Sequence, residues 1–573
     1  MSIEGPEQPG MAQLADADLV ALGSGAAGLT AALTAALEGL SAVVLEISPS
    51  IGGTTARSSG TIWIPDNHLM RAAGFPPDRE AAETYLGNLI GNRAPREGWL
   101  AFLEHAPRML LDLERRANIA FRPYLKAPDY RSNDPGAASG GRALEPVAFD
   151  GQLLGEWFNR LALPIPELTV LGGMMVTRAE AQKLVWAERS VGAMRLGLSL
   201  LTRHLRDRLH YPRGTRLVMG NGLVARLLHE ALRRGVRVLP NAHVRELLTD
   251  RGKISGVRGV LDGKPFVLRA RSVVLAGGGF PADPEMCTAN LPPAASIHTP
   301  AGPFACGTSI RLGLAAGGQL GPSLGSNGMW FPSSLWSRPA GGLAVHPHIA
   351  LDRAKPGSLI VNRHGERFAN EALSYHDFCE EVFRHGEDAV PAWMIVDRDF
   401  IHRYGLGVIR PRTRSLQPYV ESGYLKAASS PEALAAQIGV PGEALARTIE
   451  RCNSFARSGQ DEDFHRGESA YQRSNGDPDR RLKNPCLGPI NPARLHAVSL
   501  WPTPLATARG LVCGTNGEVL DQAGDPIHGL YAAGGDMQSV FGGQYPGAGA
   551  QIGQAMTFAW AAARHTANGL KQE

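Results

Sequence analysis

Cysteine is scarce in this chain: the 573 residues hold Cys287, Cys306, Cys379, Cys452, Cys486 and Cys513, with no CxxC pair and no Cys/His cluster at zinc-ligand spacing. That scatter argues against a zinc module and against a disulfide scaffold, leaving reduced, mostly buried thiols, and no metal site is expected. Long apolar runs are missing too, since none reaches the roughly 18 to 20 residues that a membrane span needs. The opening stretch MSIEGPEQPGMAQLADAD has neither a basic segment leading into an apolar core nor a twin-arginine pair. A cytoplasmic protein is therefore expected. Neither sign of charge dominates: 58 Lys and Arg face 54 Asp and Glu, a net charge of +4. So even a balance does not imply a nucleic-acid surface, and any basic patch must be local. Repeats and low-complexity tracts are absent, and nothing in the sequence specifies an oligomeric state.

Glycine, in contrast, is abundant, at 68 residues beside 41 prolines. The length calls for a large domain plus at least one more. Residues 18–46, DLVALGSGAAGLTAALTAALEGLSAVVLE, read as a strand, a glycine turn, an Ala-rich helix and a second strand ending in an acid. Gly23, Gly25 and Gly28 form GxGxxG in the context that gives the motif meaning, with Glu46 about 20 residues further on. Gly23 allows the turn, Gly25 lets the backbone approach a pyrophosphate, and Gly28 lets helix and strand pack closely. The helix N-terminus offers free N–H groups to the phosphates. Glu46 would accept from ribose hydroxyls, and its charge disfavours a 2′-phosphate.

Three later blocks extend this unit. IGGTTARSSGTIWIP, residues 51–65, suits a loop wrapping a pyrophosphate and a flavin edge, which NAD-binding domains do not usually continue into. Residues 216–283 give a helix, short strands and a hairpin, then SVVLAGGGF, an apolar strand running into Gly277, Gly278 and Gly279. The last block, from GEVLDQAGDPIHGLYAAGGD onward, supplies two strands, Gly534, Gly535 and Asp536, a glycine-rich loop and a helix from about Gly549. Its N-terminus can face a flavin pyrimidine, where negative charge collects on reduction. The fold expected is α/β: a Rossmann-type FAD-binding domain built from both chain ends, with an inserted α+β catalytic domain. The boundaries expected are 12–335 and 490–570 for the cofactor domain and 336–489 for the catalytic domain.

With these landmarks in order, the chain resembles the fumarate reductase and succinate dehydrogenase flavoproteins, and within them the 3-ketosteroid Δ1-dehydrogenase family. The resemblance covers nearly the whole chain. It rests on GSGAAG, GGTTARSSGTIWIP, PDY at 128–130, GERFANEALSY at 365–375, and above all GLYAAGGDMQSVFGGQYPGAGAQIG at 529–553. It implies non-covalent FAD, because the loop after the second strand has no histidine to which flavin could attach. It implies a cofactor set of Gly23, Ser24, Gly25, Ala26, Ala27, Gly28, Glu46, Gly53, Thr54, Thr55, Ser59, Gly60, Val244, Ala276, Gly277, Gly278, Gly535, Asp536, Ala550 and Ile552.

The reaction implied removes a hydride from C1 of a 3-ketosteroid to flavin N5 and a proton from C2. The C2 proton becomes acidic only if the ketone oxygen is polarised, so donors to that oxygen and a base are both required. By resemblance the Tyr545 hydroxyl and the Gly549 backbone N–H hold the oxygen, Tyr375 is the base and Tyr130 assists it. Where the family usually has two adjacent aromatics, this chain has Tyr130 followed by Arg131. One dinucleotide fingerprint, not two, implies that electrons leave to a quinone or another external acceptor. The rival enzyme reading is a fumarate-reductase-like flavoenzyme reducing an α,β-unsaturated acid, with Arg367 as proton donor. Against it stand the YPGAG loop and the plainer reading of Arg367 as a structural arginine. A third reading, a flavin-binding scaffold without catalysis, is opposed by retention of all three tyrosines. His346 and His348 read as histidines satisfying local hydrogen bonds. The segment 151–215 is longer than compact relatives carry, with Arg195, Arg203, His204, Arg206 and Arg208 beside apolar residues at helical spacing. It reads either as a surface helix docked on the sheet or as a membrane-surface patch for a lipophilic substrate.

Overall fold

A computed structural model describes residues 12–177, 180, 183–184, 191–349 and 352–572 of the chain. The first eleven residues, most of 178–190 and residues 350–351 lie outside that set, and with them part of the 151–215 segment and most of the opening stretch read above. After the two-residue strand β1 (Ala12–Gln13), β2 (Ala17–Leu22) leads through the glycine turn into α1 (Ala26–Leu37) and β3 (Ala42–Leu45). A short helix α2 (Gly53–Arg57) follows, then, much later, α3 (Val191–Asp207). The cofactor half continues with β4 (Arg237–Leu239), β5 (Ala242–Asp250), β6 (Lys253–Leu261) and β7 (Lys264–Leu275).

The second sheet is built from β8 (Gly328–Ser337), β9 (Leu343–Pro347), β10 (Ser358–Val361), β11 (Ala392–Asp397), β12 (Lys426–Ala428) and β13 (Leu495–Thr507), with helix α4 (Tyr375–His385) between β10 and β11. The chain then returns to the first sheet as β14 (Glu518–Leu520) and β15 (Pro526–Ala532) and ends on α5 (Ala550–Gln572).

At the centre of the first sheet five strands run parallel in the order β15-β7-β2-β3-β4, with Val273 beside both Val20 and Leu530. The two chain ends therefore meet on one strand. Their residues are short and apolar, and helices cover them, so β2 and β3 are buried nearly throughout, as parallel strands require. Strands β5, β6 and β7 add an antiparallel meander at one side. The second sheet has the order β9-β8-β13-β11-β10. Because β8 and β13 pair from Gly328 to Thr507, this sheet extends beyond the expected 336–489 at both ends.

Candidate active site

A cavity of about 1270 Å³ runs along the glycine turns of the first sheet to the face of the second. It exceeds the roughly 300–1,000 Å³ of an ordinary single-ligand pocket, which suits a dinucleotide plus a second molecule. One end is walled by backbone: Gly23, Gly25, Gly53, Gly277, Gly278 and Gly535. A Cβ added at Gly25 would come no closer to any protein atom than 3.5 Å, to Thr55 Oγ1. Packing within the protein does not demand glycine there, and its absence of a side chain leaves room for a ligand. The α1 N-terminus at Gly25 carries no side-chain cap. The Ala26 amide at its start donates to Thr55 Oγ1 at 3.0 Å. These features fit a pyrophosphate laid over α1.

Most of the expected cofactor residues line this cavity: Ser24, Ala26, Ala27, Glu46, Thr54, Thr55, Ser59, Val244, Ala276 and Ile552 join the glycines just named. Four do not. Gly28 packs on the Gly23 carbonyl, 1.8 Å from where a Cβ would stand, and Gly60 lies against Met219 and Gly220. Ala550 is fully buried behind the wall. Asp536 accepts from Gly277 N at 2.5 Å and Gly279 N at 2.8 Å, so it fastens the glycine turn after β7 from behind instead of facing a ligand. Burial pushes its carboxyl up to about 6. Glu46 is held by its own strand end: Oε2 accepts from Ser24 N at 2.8 Å and Ser24 Oγ, and Oε1 from Ser48 N at 2.8 Å. Burial raises its carboxyl as well.

At the other end three phenols meet. Tyr130 OH donates to Tyr375 OH at 2.8 Å, and the Tyr545 ring packs edge-on against that of Tyr375. Ring centroids lie 5.4 Å apart for Tyr130–Tyr375, 5.6 Å for Tyr130–Tyr545 and 5.4 Å for Tyr375–Tyr545. All three line the cavity, as does Gly549. Each is placed by local chemistry. Tyr375 opens α4, whose Ser374 cap accepts from Asp377 N at 3.1 Å, the Ser-x-x-acid start that favours a helix N-terminus. Tyr130 follows Asp129, which is locked by Trp63 Nε1 at 2.8 Å and by the buried Arg142 at 2.6 Å. The Tyr130 amide then donates to Pro546 O at 3.2 Å, stitching PDY onto the loop that carries Tyr545. Gly549 takes φ +94°, a conformation open to glycine at little cost. Its N–H donates to no described residue.

Electrostatically, Tyr375 and Tyr545 rest as phenols. Burial drives Tyr375 well above the ordinary tyrosine value and pushes Tyr545 up to about 12. Tyr545 is thus a hydrogen-bond donor at any accessible pH, while Tyr375 gives up its proton only when a reaction coordinate helps. A phenolate forming there would receive the Tyr130 hydrogen bond.

Sequence reasoning overlooked Tyr471 and Phe331, both on the cavity wall. The Tyr471 ring lies 5.0 Å from Tyr130 and Phe331 lies 4.5 Å from Tyr375. Phe331 could have been suspected as an inward position of a strand; Tyr471 sits in SAYQRSN, which carries no signal. Arg367 is no proton donor to this cavity. Buried, it grips Glu371 at 2.7 Å and Asp461 at 2.8 Å. His348 bonds Ser334 Oγ at 2.8 Å and lies 2.6 Å from Asp352, as a locally satisfied histidine should. His346 does line the cavity, and burial lowers it to about 4.

Comparison with known proteins follows the same lines. The family described as FAD binding domain matches residues 18–552. The chain is 35% identical to a 4-oxocyclohex-2-ene-1-carboxylate 5-dehydrogenase of Sinomonas cyclohexanicum, covering 96% of this chain and 93% of that one. It is also 35% identical to a 3-oxosteroid 1-dehydrogenase of Mycolicibacterium smegmatis, covering 95% and 96%. Among solved structures, the 3-ketosteroid delta1-dehydrogenase from Sterolibacterium denitrificans in complex with 1,4-androstadiene-3,17-dione superposes with a TM-score of 0.90. The two share 32% identity over 97% of this chain and 100% of the other.

Proposed function

The chain belongs to the FAD binding domain family, and from that premise we propose that it is an FAD-dependent dehydrogenase that introduces the C1–C2 double bond into a 3-ketosteroid. The observation that carries the reading is the meeting of three buried phenols with an unspent Gly549 N–H on one cavity wall. Bound FAD supplies the acceptor for the C1 hydride. The residues of the chain do the rest. Tyr545 OH and Gly549 N–H hold the ketone oxygen and take up charge as the C2 proton leaves, in a buried setting where such donors count most. Tyr375, having first lost its own proton to solvent, receives the C2 proton as a phenolate, which the hydrogen bond from Tyr130 steadies. Ser24, Thr54, Thr55, Ser59 and the glycines of the turns hold the dinucleotide. No histidine lies between Ile51 and Pro65, so FAD is held without a covalent tether there.

A second substrate reading has its own support. Arg57, Lys126 and Arg473 line the cavity without an ion pair to any described residue. Such cations suit a cyclic ketone bearing a carboxylate, the kind of molecule named for the Sinomonas relative. We also propose that electrons pass from the flavin to a quinone or similar external acceptor. Peripheral membrane contact belongs to the same reading and rests on α3. That helix buries Ala193, Leu200, His204 and Asp207 while Val191, Met194, Leu198 and Leu205 stay exposed.

The test is anaerobic mixing of the holoprotein with 3-ketosteroids, with 4-oxocyclohexanecarboxylates and, after flavin reduction, with fumarate. Flavin bleaching by a ketosteroid is expected. Bleaching by the oxo-acid alone would move the assignment to the second reading, and reoxidation by fumarate alone would overturn both.

A further inference from the structure

Arg131 stands where the resemblance leads one to expect an aromatic ring, and its contacts give it another task. Its Nη2 donates to Asp377 Oδ1 and to Gln544 Oε1, both at 3.0 Å. Asp377 lies two residues after Tyr375, Gln544 immediately precedes Tyr545, and Arg131 itself follows Tyr130. One guanidinium thus joins the three segments that deliver the three phenols, across sequence separations of 246 and 413 residues. The same segment is pinned by its backbone. Arg131 N meets Tyr85 OH at 3.4 Å, and that hydroxyl donates to Pro546 O at 2.7 Å. Arg131 does not line the cavity, so it touches neither substrate nor cofactor.

We propose that Arg131 is a positioning residue for proton removal: by bridging Asp377 and Gln544 it holds the hydroxyls of Tyr130, Tyr375 and Tyr545 at working distance. This rests on the dehydrogenase reading above for the chemistry, though not for the geometry. Proton transfer and oxyanion bonding both need donor–acceptor distances of about 2.6–3.2 Å. A shift of about 1 Å at such a site costs roughly a hundredfold in rate. Without the clamp, the start of α4 loses its charged link to the other two segments. The helix start itself survives, since Ser374 Oγ still donates to Asp377 Oδ2 at 2.8 Å.

The experiment compares wild type with Arg131→Met, Arg131→Lys, Gln544→Leu and the Arg131→Met/Gln544→Leu pair, all as holoprotein with measured FAD content and melting temperature. Arg131→Met is expected to lower the rate of flavin reduction by about 10- to 100-fold and to slow exchange of the substrate α-proton with deuterated solvent. Ketone binding should stay within about threefold of wild type, because the residue lies outside the cavity. Arg131→Lys should recover part of the rate, one ammonium reaching one of two acceptors. The paired variant should be no slower than Arg131→Met alone, the mark of residues acting as a unit. A wild-type reduction rate in Arg131→Met, a loss confined to KM, or a loss that merely tracks FAD content would overturn the proposal.

A readout without substrate keeps it separate from the function assignment. In protein carrying 13C at the tyrosine ζ position, the signals of Tyr130, Tyr375 and Tyr545, identified with Tyr→Phe variants, should shift together in Arg131→Met. Signals that stay put would sink the clamp whatever the enzyme oxidises. Shifted signals in a protein that no cyclic ketone reduces would keep the clamp and discard the dehydrogenase.

Discussion

At the scale of single residues, Tyr545 and Tyr375 divide one task. Replacing Tyr545 by Phe removes one of two oxyanion donors and keeps the ring that packs on Tyr130 and Tyr375. Loss of such a donor typically costs about 10² to 10³ in turnover. Stopped-flow reduction by a 3-ketosteroid should show that loss while bound FAD stays unchanged; near wild-type speed would remove Tyr545 from the oxyanion site. The base predicts a pH profile. Burial raises Tyr375, so the neutral phenol is the resting form and the competent phenolate grows as pH rises. The reduction rate should therefore climb by about tenfold per pH unit between roughly 7 and 9. Tyr545, near 12, stays a donor throughout that range. Tyr375→Phe should flatten the climb, and a rate independent of pH in the wild type would rule out a tyrosine base.

At the scale of elements, the glycines sort into two kinds that the sequence cannot distinguish. Gly549 is required by packing: its φ is +94°, and a Cβ would stand 2.3 Å from Thr61 O, where the 51–65 loop passes under the start of α5. At Gly25 a Cβ would meet Thr55 Oγ1 only at 3.5 Å, so packing within the protein does not require glycine there. Gly549→Ala should then lower the melting temperature of the apoprotein, strain at such a position being of order 1–3 kcal/mol. Gly25→Ala should leave the apoprotein's melting temperature in place and weaken FAD binding, measured by flavin fluorescence. Equal behaviour of the two variants in the apoprotein would defeat the distinction. Much of this level was legible beforehand. GxGxxG, the GGTT loop and the YPGAG block each announce a strand, turn or helix start through local conformation, and the parallel core at β2, β3, β7 and β15 follows from them. What could not be read is long-range. Asp536 carries a glycine-rich context yet turns its carboxylate to Gly277 and Gly279, 259 and 257 residues away. Tyr471 reaches the site only through the fold of the second sheet's domain, and no local pattern encodes that approach.

The whole molecule sets a dinucleotide on one sheet and closes it with another, and a lipophilic ketone has to reach the gap between them. Helix α3 is amphipathic in an unusual sense. His204 is tied to the Leu171 carbonyl at 2.9 Å and Asp207 to Thr215 at 2.8 Å, so polar groups anchor the buried face. The outward face carries Met194, Leu198 and Leu205, each more than half exposed, and Leu171, whose carbonyl meets His204, is equally exposed. Leu163 also lines the cavity. Arg195, Arg206 and Arg208 stand on the same helix and just past it without an ion pair to any described residue. An apolar face edged by free cations is the composition of an interfacial helix, and no helix among the described residues is long and apolar enough to cross a membrane. The purified protein should therefore co-sediment with phosphatidylglycerol-containing vesicles and much less with phosphatidylcholine alone. Removing two leucines from the exposed face that would meet the lipid should cost several kcal/mol of transfer energy, so Leu198→Glu/Leu205→Glu should lower the bound fraction at least about tenfold. Reduction of the flavin by a water-soluble ketone should be unchanged in that variant, because both positions lie outside the cavity. Vesicle binding equal in the variant and the wild type would assign α3 to a plain surface role and leave the dehydrogenase reading untouched.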